Sequence, residues 1–239
     1  MLYSQHKFSN KTNTLQINKP IKALLIDLDG TIADSAPDLT AALNISLKSL
    51  GLPQYSLSET RQWIGNGLDQ LLNRAITNDF HGTAEQKILA LAREEFFTAY
   101  AEINGKETQL YPDITEALQR FNQAGILLAC VTNKSRRFTL QLLDMLGIHE
   151  LFDFVISGDE VDDKKPAPDS INVVLKHFDL SADECLMIGD SDNDVFAGNR
   201  ANVDVLAVSY GYSQGVNLSE LPILGMIHSI NDIELNNQG

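Results

Sequence analysis

From residue 21 onward, short apolar runs alternate with stretches of helical periodicity. Ile21-Lys22-Ala23-Leu24-Leu25-Ile26 ends in Asp27 and reads as a buried strand. The runs at 126–131, 154–157, 185–188 and 205–208 have the same character. Between them apolar residues recur at spacings of three and four, as in Ile114, Ala117, Leu118 and Phe121, and again in Phe138, Leu142, Met145 and Leu146. Val173, Val174 and His177 continue the theme after Pro168. This alternation predicts an α/β protein with a parallel sheet, helices on both faces and functional groups at the carboxyl ends of the strands.

Residues 36–108 break the alternation and contain no convincing strand. Leu39, Leu43, Leu47 and Leu50 form one helical stripe, ended by Gly51 and Pro53. Ser56-x-x-Glu59 reads as a capping box opening a second helix through Trp63. Gly65-Asn66-Gly67 interrupts before a third helix carrying Leu68, Leu71, Leu72 and Ala75. Thr83-x-x-Gln86 is expected to start a fourth, with Ile88, Leu91, Ala92, Phe96 and Ala99 on one face. The expected organisation is a polar tail over 1–20, an α/β core from 21–35 and 109–239, and a helical insertion over 36–108. Order is expected to begin at Ile21.

Composition narrows the partners. With 18 basic and 32 acidic residues in 239, the net charge is −14, which argues against nucleic acid or an anionic membrane as a partner. Cys130 and Cys185 both sit in strand-like apolar runs and read as buried thiols, consistent with a reducing compartment. No apolar stretch approaches the ~20 residues a membrane span needs. Lys7, Lys11 and Lys19 are not followed by a continuous hydrophobic segment, so no secretory signal is read and a cytoplasmic location is expected. His6, His81, His149, His177 and His228 show no metal-ligand spacing.

Chemistry concentrates at strand ends. Asp27-Leu28-Asp29-Gly30-Thr31 places two carboxylates and a turn glycine after the first strand. Acids set side by side in a partly buried turn are costly unless a cation joins them. Val131-Thr132-Asn133 offers a hydroxyl and an amide just before a helix near Ser135, a setting suited to an anion. Lys164-Lys165-Pro166-Ala167-Pro168 stiffens a lysine loop. Ile188-Gly189-Asp190-Ser191-Asp192-Asn193-Asp194 again follows a buried strand with acids. Oxygen donors without a His or Cys cluster suit a hard cation such as Mg²⁺.

The ordered set Asp27-x-Asp29-Gly30-Thr31, Thr132-Asn133, Lys165-Pro166-x-Pro168 and Gly189-Asp190-Ser191-x-x-Asp194 resembles the four motifs of the haloacid dehalogenase-like hydrolases. That resemblance implies a Rossmann-like core with a small all-helical cap inserted after the first strand. Within the superfamily, Trp63-Ile64-Gly65-Asn66-Gly67 and Tyr210-Gly211-Tyr212 are similar to the bacterial phosphoglycolate phosphatases. The implied activity is Mg²⁺-dependent hydrolysis of a small phosphorylated metabolite, with 2-phosphoglycolate as the leading substrate. Another small phosphate ester, or the chemistry of a sugar-phosphate mutase, stays open beside it.

The resemblance assigns Asp27 as nucleophile and Asp29 as acid and base. It gives Mg²⁺ the Asp27 carboxylate, the Asp29 main-chain carbonyl and Asp190, with Asp194 orienting a metal-bound water or Lys165. Thr132, Asn133 and Lys165 would cradle the phosphoryl oxygens, and Gly30 would allow close backbone approach. Lys165 is preferred over Lys164 on the proline spacing. Cap hinges are expected near 34–37 and 104–108. Trp63, Tyr210 and Tyr212 are read as packing residues, whereas Gly65-Asn66-Gly67 is open between a substrate-facing loop and a plain turn. Monomer and homodimer both remain open.

Overall fold

A computed structural model describes residues 14–235. The chain runs through β1 (Leu15–Ile17), β2 (Ala23–Ile26), β3 (Ala33–Asp34), α1 (Ala36–Ser49), α2 (Leu57–Arg61), α3 (Leu68–Thr77), α4 (Gln86–Ile103) and β4 (Gln109–Leu110). It continues with α5 (Ile114–Gln123), β5 (Leu127–Val131), α6 (Arg136–Met145), β6 (Phe154–Ile156), α7 (Asp169–Phe178), β7 (Cys185–Gly189), α8 (Asp192–Arg200), β8 (Asp204–Val208), β9 (Gly225–Ile227) and β10 (Ile233–Leu235).

The main sheet has six parallel strands in the order β6-β5-β2-β7-β8-β9. Its central strand, β2, is apolar throughout because both faces are covered. Leu24 and Ile26 face a core shared with Ile114, Leu118 and Phe121 of α5 and Leu142 of α6. Ala23 and Leu25 face the opposite core, with Ile171 and Val174 of α7 and Val195 of α8. After β2 the chain builds outward through β5 and β6, then returns to the other side through β7. The order therefore reverses between β2 and β7, the place where open α/β sheets form a crevice at their strand ends.

Helices α1–α4 lie between β3 and β4 in the chain. They share a core that includes Leu43, Leu47, Leu72 and Phe96 and takes in Phe138 and Tyr212 from the sheet side. Ser56 and Glu59 close the capping box at the start of α2 reciprocally. Strands β3 and β4 pair antiparallel, Ala33 with Leu110 and Asp34 with Gln109, so the helical segment leaves and re-enters at one point.

Two sequence expectations need correction, and one strand goes unread. Residues 15–17 are not tail: Leu15 and Ile17 are buried in a strand paired parallel with β10. A three-residue Leu-Gln-Ile alternation is too short to register locally, and its partner lies at the other end of the chain. The remainder of the expected tail, with His6, Lys7 and Lys11, falls outside the described residues. Helix α4 begins at Gln86 with Glu85 at its N-cap, not at Thr83. The backbone N–H of Ala84 instead donates to Asn73 Oδ1 of α3 at 2.9 Å, which anchors that segment outside the helix. The sixth strand, β9, carries a Gly-Met-Ile run too brief to read as a strand without its neighbour β8.

Candidate active site

The four motifs converge at the carboxyl ends of β2, β5 and β7. The ladder continues past β2, where Asp27 N–H donates to Ile188 O at 2.9 Å and aims the next residues out of the sheet. A tight turn follows, with the N–H groups of Ile32 and Ala33 on Leu28 O and that of Gly30 on Ala33 O. Gly30 sits at φ +93°, and a Cβ there would lie 2.1 Å from Asp190 Oδ2. Only glycine meets both demands.

Lys165 organises the centre. Its buried ammonium donates to Asp27 Oδ1 at 2.7 Å, to Asp194 Oδ1 at 2.6 Å and to Val131 O at 2.7 Å, engaging all three of its protons. Burial opposes its charge, but Asp194 and Asp27 outweigh that and hold the lysine firmly protonated. Asp194 is fixed through its second oxygen, which accepts from Ser191 N–H at 3.1 Å and Ser191 Oγ at 2.7 Å at the start of α8. Asp190 accepts from Tyr212 N–H at 2.5 Å and from Thr31 Oγ1 at 3.3 Å. Lys164, by contrast, stays on the wall of the cavity described below.

The electrostatics leave excess negative charge. Carboxylate oxygens of Asp27, Asp190 and Asp194 all lie within 4.8 Å of one another, and all three residues are buried. Burial pushes the Asp27 carboxyl up to about 7; Lys165 pulls it back, and Asp194 adds to the rise. Asp190 is pushed well above the usual carboxylate range by burial and then by Asp27 and Asp194. One lysine cannot neutralise three acids. A hard cation with oxygen ligands fits this donor set, and its charge would reverse the rise. Among the described residues, no histidine joins the cluster.

The second acid of the turn faces elsewhere. Asp29 accepts from Ser35 Oγ at 2.5 Å and from Lys134 Nζ at 3.0 and 3.3 Å. Lys134 in turn donates to Tyr100 Oη of α4 at 2.7 Å. Thr132 Oγ1 accepts the backbone N–H of Lys134 at 3.1 Å. The Asn133 amide donates to Gly65 O at 3.1 Å and to Lys165 O at 2.9 Å, so its side chain ties the lysine loop and the helical segment to β5.

The helical segment closes the other side. Asn66 Nδ2 donates to Asn193 Oδ1 at 2.9 Å, and buried Arg74 donates to Trp63 O at 2.7 Å and to Asn66 Oδ1 at 2.9 Å. Gln214 Nε2 reaches Ile64 O and Asn66 Oδ1. Between core and helices lies a cavity of about 240 Å³. Asp27, Asp29, Thr132, Asn133 and Lys134 are among its polar lining; Leu39, Phe96, Phe97, Tyr100 and Phe138 are among its apolar and aromatic lining. Gly65 and Gly67 also face it, while Trp63 packs edge-on against Tyr55 with ring centres 4.7 Å apart. Tyr210 and Tyr212 pack too, but both hydroxyls are engaged, on Thr31 O at 2.9 Å and on Asp34 Oδ1 at 2.5 Å.

Sequence reasoning overlooked Lys134, Ser35 and Tyr100. Lys134 follows Thr132-Asn133 directly, which was a usable signal, but a lysine at a helix start is ordinarily solvated. Cys130 and Cys185 are buried, unbridged thiols. His177 stacks on Phe154 and His149 contacts Asp144, both away from the cluster.

Comparison with known proteins follows the same lines. A family model described as haloacid dehalogenase-like hydrolase matches residues 24–208. The chain is 38% identical to a phosphoglycolate phosphatase of Nitrosococcus oceani over 216 residues, covering 90% of this chain and 96% of that protein. It is 38% identical over 201 residues to a phosphoglycolate phosphatase of Psychrobacter arcticus, covering 83% and 87%. Among solved structures, a predicted phosphoglycolate phosphatase from Haemophilus somnus superimposes with a TM-score of 0.82 at 29% identity, covering 89% of this chain and 96% of that one.

Proposed function

The chain belongs to the haloacid dehalogenase-like hydrolase family, and we propose that it is a Mg²⁺-dependent phosphatase that hydrolyses 2-phosphoglycolate to glycolate and phosphate through an aspartyl-phosphate. The observation that carries this reading is the buried Lys165 ammonium shared by Asp27 and Asp194 at the sheet's switch point, beside a third buried acid. The relatives' names supply the substrate.

In this mechanism Asp27 attacks phosphorus with a carboxylate oxygen. The ester oxygen departs with its bonding pair and takes a proton from Asp29, forming glycolate. Asp29 then accepts a proton from water as the water oxygen attacks phosphorus. The bond to Asp27 breaks, releasing phosphate and restoring the carboxylate. Thr132 holds a phosphoryl oxygen through its hydroxyl, Lys165 and Asn133 would each exchange a present contact for one, and Gly30 lets the backbone come close. Asp27, Asp190 and the Asp29 carbonyl would hold the cation, with Asp194 supporting it through Lys165 or a bound water. When bound, the ion supplies the positive charge that lets a phosphate dianion approach several acids. Residues 36–108 act as a cap that shields the reaction from bulk water, turning on the segments at 34–37 and 104–108.

The test is phosphate release with Mg²⁺ from 2-phosphoglycolate beside sugar phosphates, nucleotides and an aryl phosphate. Clear preference for 2-phosphoglycolate is expected, with a loss of at least about a thousandfold in Asp27→Asn. Preference for another ester would keep the mechanism and overturn the substrate. Interconversion of sugar phosphates without phosphate release would replace hydrolysis with mutase chemistry.

A further inference from the structure

Lys134, Arg93 and Lys164 line the cavity, and the mechanism above uses none of them. Lys134 follows Asn133, yet its side chain turns inward and is only 6% exposed. Its ammonium has three protons. They reach Asp29 Oδ1 at 3.0 Å, Asp29 Oδ2 at 3.3 Å and Tyr100 Oη at 2.7 Å, so a ligand oxygen in the cavity would take over the longest of these contacts. In the proposed reaction Asp29 must touch the ester oxygen. A group bonded to Asp29 therefore stands beside whatever that oxygen carries.

The other cations nearby are less suited to that place. Lys165 is fully engaged with Asp27, Asp194 and Val131 O. Arg93 forks onto Asp69, with both contacts at 2.8 Å. Lys164 stands beside Gly67, where its Nζ would lie 3.5 Å from an added Cβ, and it makes no contact with Asp29. Leu39, Phe96, Phe97 and Phe138 also line the cavity, and their side chains give an anion no donor. In such low-dielectric surroundings one well-placed ammonium discriminates strongly between an anionic and a neutral group.

Resting on the phosphatase reading, we propose that Lys134 determines leaving-group specificity: its ammonium receives a carboxylate carried two bonds from the ester oxygen. The substrate class is then phosphomonoesters of short 2-hydroxy acids, whose carboxylate adds a negative charge beside Lys134. Tyr100 places the ammonium from the helical side, so an acidic leaving group also bridges core and helices.

The test compares kcat/KM for 2-phosphoglycolate with that for ethyl phosphate, which carries a methyl in place of the carboxylate. Any effect that Lys134 exerts through Asp29 falls on both esters and cancels in their ratio. Lys134→Met is expected to lower the ratio by about tenfold or more, and Lys134→Arg to restore part of it. Tyr100→Phe keeps the charge while removing the tether, and is expected to lower the ratio less than Lys134→Met does. Should Lys134→Met unfold, as read by thermal denaturation, Lys134→Gln provides the same comparison with a neutral hydrogen-bonding end retained. An unchanged ratio in a folded variant overturns the assignment of Lys134 alone. Failure of the unaltered protein to hydrolyse 2-phosphoglycolate, with other esters cleaved, overturns the substrate reading instead.

Discussion

Asp27, the nucleophile of the proposed reaction, shows the cost of a buried acid. Burial raises its carboxyl to about 7, while the unfolded chain keeps the ordinary value near 4. Between those values the native state binds more protons than the unfolded state, so stability falls as pH rises. The metal-free protein is therefore expected to lose thermal stability from about pH 4 to pH 7. Asp27→Asn should flatten that slope, because the amide cannot ionise, and Mg²⁺ should flatten it by favouring the carboxylate. Thermal denaturation at several pH values in chelator checks both. A slope that is unchanged in Asp27→Asn would assign the titration to other groups, with Asp190 first among them. Gly30 is constrained in a second way: any side chain there meets Asp190 on a backbone of positive φ.

At the scale of elements, the crossing between sheet and helices is held by one buried acid. Asp38, in the first turn of α1, accepts from the N–H groups of Gly105, Glu107 and Thr108 at 2.9, 3.0 and 3.1 Å, and from Thr108 Oγ1 at 2.6 Å. The outgoing and returning segments are thereby fastened together next to the β3–β4 ladder. Truncating Asp38 strands several backbone donors, so Asp38→Ala is expected to cost about 2–4 kcal/mol in denaturant unfolding. The capping box of α2 is a smaller contribution. Ser56→Ala removes one acceptor at an exposed helix start and should cost about 1 kcal/mol. If Asp38→Ala costs no more than Ser56→Ala, the two segments are held by the ladder and the apolar contacts instead.

For the whole molecule, the sheet builds the stability, and in the proposed reaction the acidic cluster provides the chemistry. The two apolar layers on the sheet and the helical core do not depend on a cation, whereas the charge balance of the site does. Chelation is accordingly expected to abolish phosphate release while leaving the fold intact. Mg²⁺ at a hundredfold excess over its dissociation constant should return only about 2.7 kcal/mol of stability. Parallel measurement of phosphate release and melting temperature in EDTA checks this. Substantial turnover in excess chelator would remove the cation from the reaction. Among the described residues, no helix is long and apolar enough to cross a membrane.

What the sequence determined by itself was local or repeated. Continuous apolar runs announced the strands of a sheet covered on both faces, because burial on both sides removes polar alternation. Spacings of three and four announced the helices, and Ser56-x-x-Glu59 announced a cap that needs only three residues to close. Asp27, Asp190 and Asp194 were legible because acids at the ends of apolar runs are unusual and their order matched a family pattern. Tertiary structure decided whatever depends on a distant partner. Residues 15–17 become a strand only because β10 lies beside them, and β9 only because β8 does. The choice of Lys165 for the centre is a matter of distance to Asp27, Asp194 and Val131 O, while Lys164 stays at the wall. Lys134 differs from a solvated surface lysine through Asp29, 105 positions earlier in the chain, and Tyr100, 34 positions earlier. Sequence periodicity records which way a residue faces within its own element; which groups from different elements meet is fixed by packing, and the site is made of such meetings.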